Sequence, residues 1–306
     1  MKLAIVFPGQ GSQSVGMMNG FTDMAVEKTF EQAREITGID YWAMAGEGPA
    51  EVQSQTVNTQ PLMLIAGVAT WRAWRERGGP LPAYFAGHSL GEYSALVAAE
   101  AMRFEEALPL VRERARAMQE AVPEGTGGIA AILGLDDAKL PGVLQAAAQG
   151  EVVEAANLNS PGQIVIAGHR AAVERAMAGA REAGAKRAVM LPMSAPSHCS
   201  LMKPAAERLA ALLDKIEIRK PVVPVVQNRH ADAFDDPAKI RAALVEQLDH
   251  PARWIETVEF LARHGVQRIV ECAPGKVLTG LSRRIASAVE CVALQDSAAL
   301  EAALKG

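Results

Sequence analysis

Strand-like and helical runs alternate along most of this chain, and that alternation restricts the fold more than any other feature. Leu3 to Phe7 reads as a buried strand, followed by a helix near Pro61 to Arg75, a strand Ala83 to Ala86, and helices Leu90 to Ala99 and Glu105 to Glu120. Strands separated by helices pair in parallel, so the expected frame is an α/β parallel sheet with helices packed against it. Between Gly127 and Pro192 the rhythm changes to strand Gly128 to Leu133, helix Ala138 to Ala148, strands Val152 to Ala156 and Gln163 to Ala167, helix Ala171 to Ala183 and strand Arg187 to Leu191. This β-α-β-β-α-β order is the ferredoxin-like signature. Ala172, Val173, Ala176, Met177 and Ala180 form one apolar stripe, as expected for a helix lying on a small sheet.

The larger pattern then resumes with helix Leu201 to Leu213, strand Val222 to Val226, helices Pro237 to Leu248 and Ile255 to His264, strand Arg268 to Cys272, helix Lys276 to Ser287 and strand Cys291 to Leu294. The reading is a large subdomain from residues 1–125 and 195–306 with an inserted small subdomain at 126–194. At 306 residues and 49% hydrophobic, the chain can bury a large core. Its 31 basic and 35 acidic residues, with no dense Lys/Arg run, give no electrostatic reason to expect nucleic acid. Charge or proline interrupts the apolar stretches well short of a membrane span, so neither a membrane partner nor a signal peptide is expected. Cys199, Cys272 and Cys291 are too few and too widely spaced for a disulfide framework or a zinc site. They suit a cytoplasmic protein as small core residues, with Cys199 singled out because it adjoins a histidine.

Chemistry enters at Gly87-His88-Ser89-Leu90-Gly91, a G-x-S-x-G between a strand and a helix. The chain must turn there so sharply that side chains at the glycine positions would collide, which leaves the serine exposed at a helix N-terminus. The helix dipole and the Leu90 N–H can stabilise an oxyanion at that point. The bland alternative is a Gly-rich turn with a Ser N-cap. Pro8-Gly9-Gln10-Gly11-Ser12-Gln13 ends the first strand, but Gly16 falls too late for a dinucleotide fingerprint. Its small residues could let the Gln10 N–H approach a ligand as a second oxyanion donor, or could simply lead into the next helix.

A nucleophilic serine needs a base, and six histidines compete: His88, His169, His198, His230, His250 and His264. Residue logic does not choose among them. His198, in Pro196-Ser197-His198-Cys199, stands in an irregular stretch just before a helix, where loops carry function. Between Ser89 and His198 the only aspartates are Asp136 and Asp137, which read as N-caps, and the glutamates sit mainly on solvent-facing helix positions. A histidine oriented by an amide or carbonyl therefore fits better than a full triad, which weighs against an esterase. Arg112-Glu113-Arg114-Ala115-Arg116 is either a solvated helix face or the source of one guanidinium that grips a substrate carboxylate.

Taken together, these segments resemble the malonyl-CoA:acyl carrier protein transacylases over essentially the whole chain. The matching stretches are Phe7 to Gln13, Gln60-Pro61, Gly87 to Tyr93, Arg114 to Gly125, Asn157 to Gln163, Pro196-Ser197-His198 and Gly275-Lys276-Val277-Leu278. The resemblance implies a hydrolase-like α/β core with a ferredoxin-like insert, and a cleft between the two. It also implies Ser89 as the nucleophile, His198 as its base, Arg114 on the malonyl carboxylate, Gln10 and Leu90 N–H groups as the oxyanion hole, and the Gln247 backbone carbonyl orienting the histidine. Asn159 falls in a matched segment near the cleft.

Coenzyme A enters this reading as the thioester substrate, with no further cofactor and no metal. The implied reaction is ping-pong: malonyl moves to Ser89, then to the phosphopantetheine thiol of an acyl carrier protein. Ser197 before the histidine resembles the stand-alone enzymes of fatty acid synthesis rather than modular polyketide acyltransferases, which often carry Phe there. Carrier proteins are acidic, so an enzyme of net charge −4 needs a local basic patch. Lys186, Arg187, Lys276, Arg283 and Arg284 are the candidates, against a reading of each as a scattered solubility charge. A monomer is expected. The rivals are a serine hydrolase that releases free acid, a silent binding subunit of a larger synthase, and the transacylase of a malonate-decarboxylating system.

Overall fold

Five consecutive apolar residues form the first strand, β1 (Leu3–Phe7), and every one is buried. Such a run has no solvent face, so both sides of the strand must be covered. Leu3, Ile5 and Phe7 join one hydrophobic cluster while Ala4 and Val6 join another, which places β1 at the centre of a layered core. The computed structural model describes residues 1–192 and 195–305; the expected end of the insert, at 194, lies outside the described residues.

The remaining strands are β2 (Tyr84–Gly87), β3 (Gly127–Leu133), β4 (Val153–Ser160), β5 (Gln163–His169), β6 (Arg187–Met190), β7 (Val225–Gln227), β8 (Asp232–Phe234), β9 (Arg268–Glu271) and β10 (Glu290–Ala293). They form two sheets. The larger has the order β10-β9-β1-β2-β7-β8. Its first five members run parallel and β8 closes the edge antiparallel to β7. β7 begins later than its Val-rich sequence predicts because Pro224 has no N–H to give a ladder; its carbonyl instead accepts from Phe85 N–H at 3.0 Å.

The smaller sheet has the order β4-β5-β3-β6 and is antiparallel throughout. Helices Leu140–Ala148 and Arg170–Glu182 cover one face, where Ala130, Ile132, Ile164 and Ile166 meet the predicted stripe of Ala172, Val173, Ala176, Met177 and Ala180. β4 runs further than expected, reaching Ser160 through two register shifts. That extension brings Asn157 and Asn159 to the other face, which looks at the large sheet. The two units are joined there by an isolated bridge, with Leu158 N–H donating to the Ala252 carbonyl at 3.0 Å and Ala252 N–H to the Ala156 carbonyl at 2.9 Å.

Helix Thr56–Glu76 starts earlier than Pro61 suggests and is buried almost all round beneath the large sheet. Helix Met24–Thr37, the two short helices after it and the C-terminal helix Ser297–Lys305 add cover that the strand pattern did not foretell. Among the described residues, no helix is long and apolar enough to cross a membrane.

Candidate active site

β2 ends at Gly87 and the next helix begins at Gly91, so the chain reverses within three residues. A Cβ on Gly87 would stand 1.9 Å from the Gly91 carbonyl carbon, and one on Gly91 would stand 2.0 Å from the Phe7 carbonyl oxygen. Neither position has room for a side chain. The turn forces Ser89 to φ 52°, in the left-handed region, and this projects its side chain clear of the backbone.

Asn228, just past the end of β7, braces the turn. Its Oδ1 accepts Ser89 N–H at 2.6 Å, and its Nδ2 donates to the Gly87 carbonyl. A polar side chain beyond the carboxyl end of a parallel strand is where such sheets build their sites. Nothing in the local sequence marked Asn228 out.

Of the six histidines, the fold brings His198 to the serine, with Ser89 Oγ 2.7 Å from His198 Nε2. The other ring nitrogen lies 2.7 Å from the Gln247 carbonyl. A carbonyl can only accept, so Nδ1 carries the proton and Nε2 is left as the acceptor for the serine hydroxyl. Burial, then the Arg114 charge, pushes the His198 pKa down to about 3, so at neutral pH the imidazole is uncharged. His88 points elsewhere: its Nε2 meets Asn159 Oδ1 on β4 at 2.8 Å, which ties the turn to the small sheet.

Arg114 departs furthest from the bland reading of its sequence. Helix Phe104–Glu120 turns Arg112 and Arg116 outward and buries Arg114, which is 1% exposed. Its Nη1 donates to Gln60 Oε1 at 2.5 Å; its Nη2 donates to Gln247 Oε1 at 2.9 Å and to Ser89 Oγ at 3.3 Å. The guanidinium also lies over the Tyr93 ring, 5.4 Å from its centroid. All these partners are neutral, so a buried cation stands beside the serine with no carboxylate bonded to it.

Gln10, Gln60, His88, Ser89, Leu90, Arg114, Met118, Asn157, Ser197 and His198 enclose a chamber of about 40 Å³. Gln10 and Leu90 both line it, and the backbone N–H of neither donates to another group among the described residues. Gln10, His88 and Asn157 also line a cleft of about 320 Å³, with Ile129, Ala131, Asn159 and Gln163 on one side and Val277, Leu278 and Leu281 on the other. Asn159 therefore faces the cleft while its amide holds His88.

The five basic candidates are all exposed. Lys276 directly precedes the cleft residue Val277, and Arg284 Nη1 donates to Gln163 Oε1 at 2.7 Å on the cleft rim. Arg187 lies opposite Leu133, which in turn lies opposite Gln163; alternation with the inward Ala188 puts Arg187 on the cleft face of the sheet. Lys186 lays its stem over Gly134, and Arg283 is committed to the Cys291 carbonyl at 2.7 Å.

One expectation needs correction. Glu92 is not a solvent-facing glutamate: the sharp turn directs the first turn of its helix into the core, and it is fully buried. Cys199, despite its neighbour, is buried, donates to the Pro196 carbonyl, and has its pKa pushed up to about 12 by burial, so it has no thiolate to react. Asp136 does cap the short helical turn at Asp137–Lys139, whereas Asp137 accepts from Gly162 N–H at 3.1 Å.

The family model for the acyl transferase domain matches residues 4–296. The malonyl CoA-acyl carrier protein transacylase of Salmonella typhimurium is 54% identical over 99% of this chain and 99% of its own. The chain belongs to the malonyl-CoA:acyl carrier protein transacylase family. The relative of the same name from Escherichia coli K12 is 52% identical, again over 99% of both chains. The solved acyl-carrier-protein S-malonyltransferase of Burkholderia pseudomallei superposes with a TM-score of 0.98 at 51% identity over 100% of both chains. A malonyl-transacylase solved in complex with a type II polyketide acyl-carrier protein gives 0.97 at 49% identity, covering 100% of this chain and 99% of that one. This transacylase is thus an acyltransferase with the overall α/β frame of those structures.

Proposed function

We propose that this transacylase moves malonyl from coenzyme A to the phosphopantetheine thiol of an acyl carrier protein through a malonyl ester of Ser89. The observation that carries the reading is Arg114: a buried guanidinium, 3.3 Å from Ser89 Oγ and hydrogen-bonded to no carboxylate, which an incoming acyl group that carries one can pair directly. A malonyl thioester brings that carboxylate; an acetyl thioester does not.

His198 Nε2 takes the Ser89 proton as Oγ attacks the thioester carbon. The carbonyl oxygen gains negative charge beside the Gln10 and Leu90 N–H groups, the latter at a helix N-terminus. The carbon–sulfur bond breaks, the proton passes from His198 to the departing sulfur, and coenzyme A leaves. The carrier thiol then gives its proton to His198, attacks the ester, and Ser89 regains its hydroxyl. Gln247 holds the imidazole by its backbone carbonyl throughout. Every bond made or broken is accounted for by these side chains and two thiols, so coenzyme A is a substrate and no cofactor or metal is needed.

The same reading makes residues 1–125 and 195–306 a hydrolase-like core and 126–194 a ferredoxin-like insert. The antiparallel order β4-β5-β3-β6, with both helices on one face, supports the second name. Lys276, Arg284 and Arg187 then form the rim that an acidic carrier meets, in a pathway supplying malonyl units for fatty acid synthesis. One chain supplies every group of the site, which suits a monomer, and three free cysteines suit the cytoplasm.

Intact mass after brief exposure to malonyl-CoA tests the scheme. Wild type should gain one malonyl group, Ser89→Ala none, and carrier protein should discharge the adduct. Free malonate without an adduct would point to a hydrolase, and no reaction to a binding subunit.

A further inference from the structure

Glu92 follows the serine turn, is fully buried, and takes no direct part in the scheme above. One of its oxygens, Oε2, accepts two hydrogen bonds: from Asn228 N–H at 2.8 Å and from Gln247 Nε2 at 3.0 Å. Each of those partners reaches the reacting groups. Asn228 Oδ1 holds Ser89 N–H at 2.6 Å. Gln247 Nε2 also donates to the Ser89 carbonyl at 3.1 Å, its Oε1 accepts from Arg114 at 2.9 Å, and its backbone carbonyl accepts from His198 at 2.7 Å.

The amide of Gln247 has two unlike ends, and only one orientation works. Arg114 is purely a donor and requires Oε1; turning the amide over would set NH₂ against a guanidinium. Glu92 Oε2, an acceptor, requires Nε2 at the opposite end. A residue that served packing alone would not be a carboxyl group whose other oxygen, Oε1, is buried with no hydrogen-bond partner among the described residues.

We propose that Glu92 is a positioning residue: through one oxygen it fixes the Gln247 amide and the Asn228 backbone, and so sets Ser89, His198 and Arg114 relative to one another. This rests on the reading of Ser89 as the malonylated nucleophile. Its requirement is an acceptor at one point in space, which separates three substitutions. Glu92→Gln keeps an oxygen there, Glu92→Met keeps the length without it, and Glu92→Asp withdraws it by one methylene.

The test is single-turnover malonylation of the full chain followed by intact mass, with each rate referred to the fraction of chains that become acylated, and with acetyl-CoA in parallel. Misplacing reacting groups by about 1 Å costs on the order of 100-fold in rate. The E92M rate per active chain should therefore fall roughly 100-fold and the malonyl-to-acetyl ratio should fall with it, while E92Q stays within about 5-fold of wild type. E92D should lie between them, and the order E92Q above E92D decides the matter even if E92M does not fold. A purely structural role would lower the active fraction and the melting temperature but leave the rate per active chain and the acyl preference alone, and that result overturns the proposal. So does an E92Q enzyme as slow as E92D. Absence of a malonyl adduct on wild type would instead overturn the transfer scheme itself.

Discussion

Replacing Arg114 by methionine separates the binding of a charged acyl group from the rest of catalysis. The guanidinium is buried and bonded only to neutral oxygens, so in the free enzyme its charge bears a desolvation cost that the nearby Glu92 carboxyl, reached only through Gln247, offsets in part. Removing one partner of a buried, hydrogen-bonded ion pair costs about 3–5 kcal/mol. At about 1.4 kcal/mol per tenfold, malonylation of Ser89 should slow by between roughly 10² and 5 × 10³. Acetylation, which has no carboxylate to lose, should change by less than about tenfold, so the preference between the two thioesters collapses. Stability moves differently. Gln60 Oε1 and Gln247 Oε1 lose their Arg114 donor, at about 1–3 kcal/mol each, but relief of the buried charge offsets this, so the melting temperature should change little. The assay is single-turnover intact mass with malonyl-CoA and acetyl-CoA in competition, alongside a thermal melt. A variant that still prefers malonyl, or one that loses both activities equally, would refute the ion-pair reasoning.

Stability against pH should report two buried groups of opposite sign. His198, held at about 3 against 6.5 when unfolded, withdraws stability as pH falls from about 6.5 toward 3; Glu92, raised to about 7 by burial, adds stability as pH falls from about 7 to 4.5. Their slopes, each about 1.4 kcal/mol per pH unit, cancel between about 6.5 and 4.5, so urea midpoints should be flatter there for wild type than for Glu92→Gln; equal slopes would count against the assignment. Gly91→Ala should destabilise by roughly 3 kcal/mol or more, because its Cβ would lie 2.0 Å from the Phe7 carbonyl oxygen, and an unchanged melt would show that the turn has slack. If the basic rim meets the carrier, salt should slow discharge of malonyl-Ser89 to carrier protein far more than discharge to free pantetheine, and Lys276→Glu should mimic salt; equal sensitivity would dismiss the patch.

What the sequence made legible is what local chemistry decides. Gly87 and Gly91 had to be glycine for reasons of space, and the stripe from Ala172 to Ala180 had to meet a sheet, so both could be read without partners in view. Arg114 and Glu92 could not. Arg114 lies in a charge-rich run and Glu92 is the one charged residue of an apolar helix, and the burial of each follows from which helix face meets the core, a matter of tertiary packing. His198 lies 109 residues from Ser89 and Asn228 lies 139, so nothing local brings them together; its place in an irregular stretch made His198 a candidate, and the resemblance to a family chose it from the six. Pro61 and Pro224 misled in opposite ways. A proline six residues into Thr56–Glu76 read as a helix start, and another delayed a strand that a run of valines had placed too early.

The chamber around Ser89 meets the outer cleft at Gln10, His88 and Asn157, so donor and acceptor thiols come to the serine by the same approach, one after the other. Both arms end in the same pantetheine chemistry, and the acyl group leaves one thioester only to enter its equivalent. Such an exchange has an equilibrium constant near one. The site hastens traffic in both directions alike, and the net direction of malonyl flow belongs to the cell's supply of coenzyme A thioester and its consumption of loaded carrier.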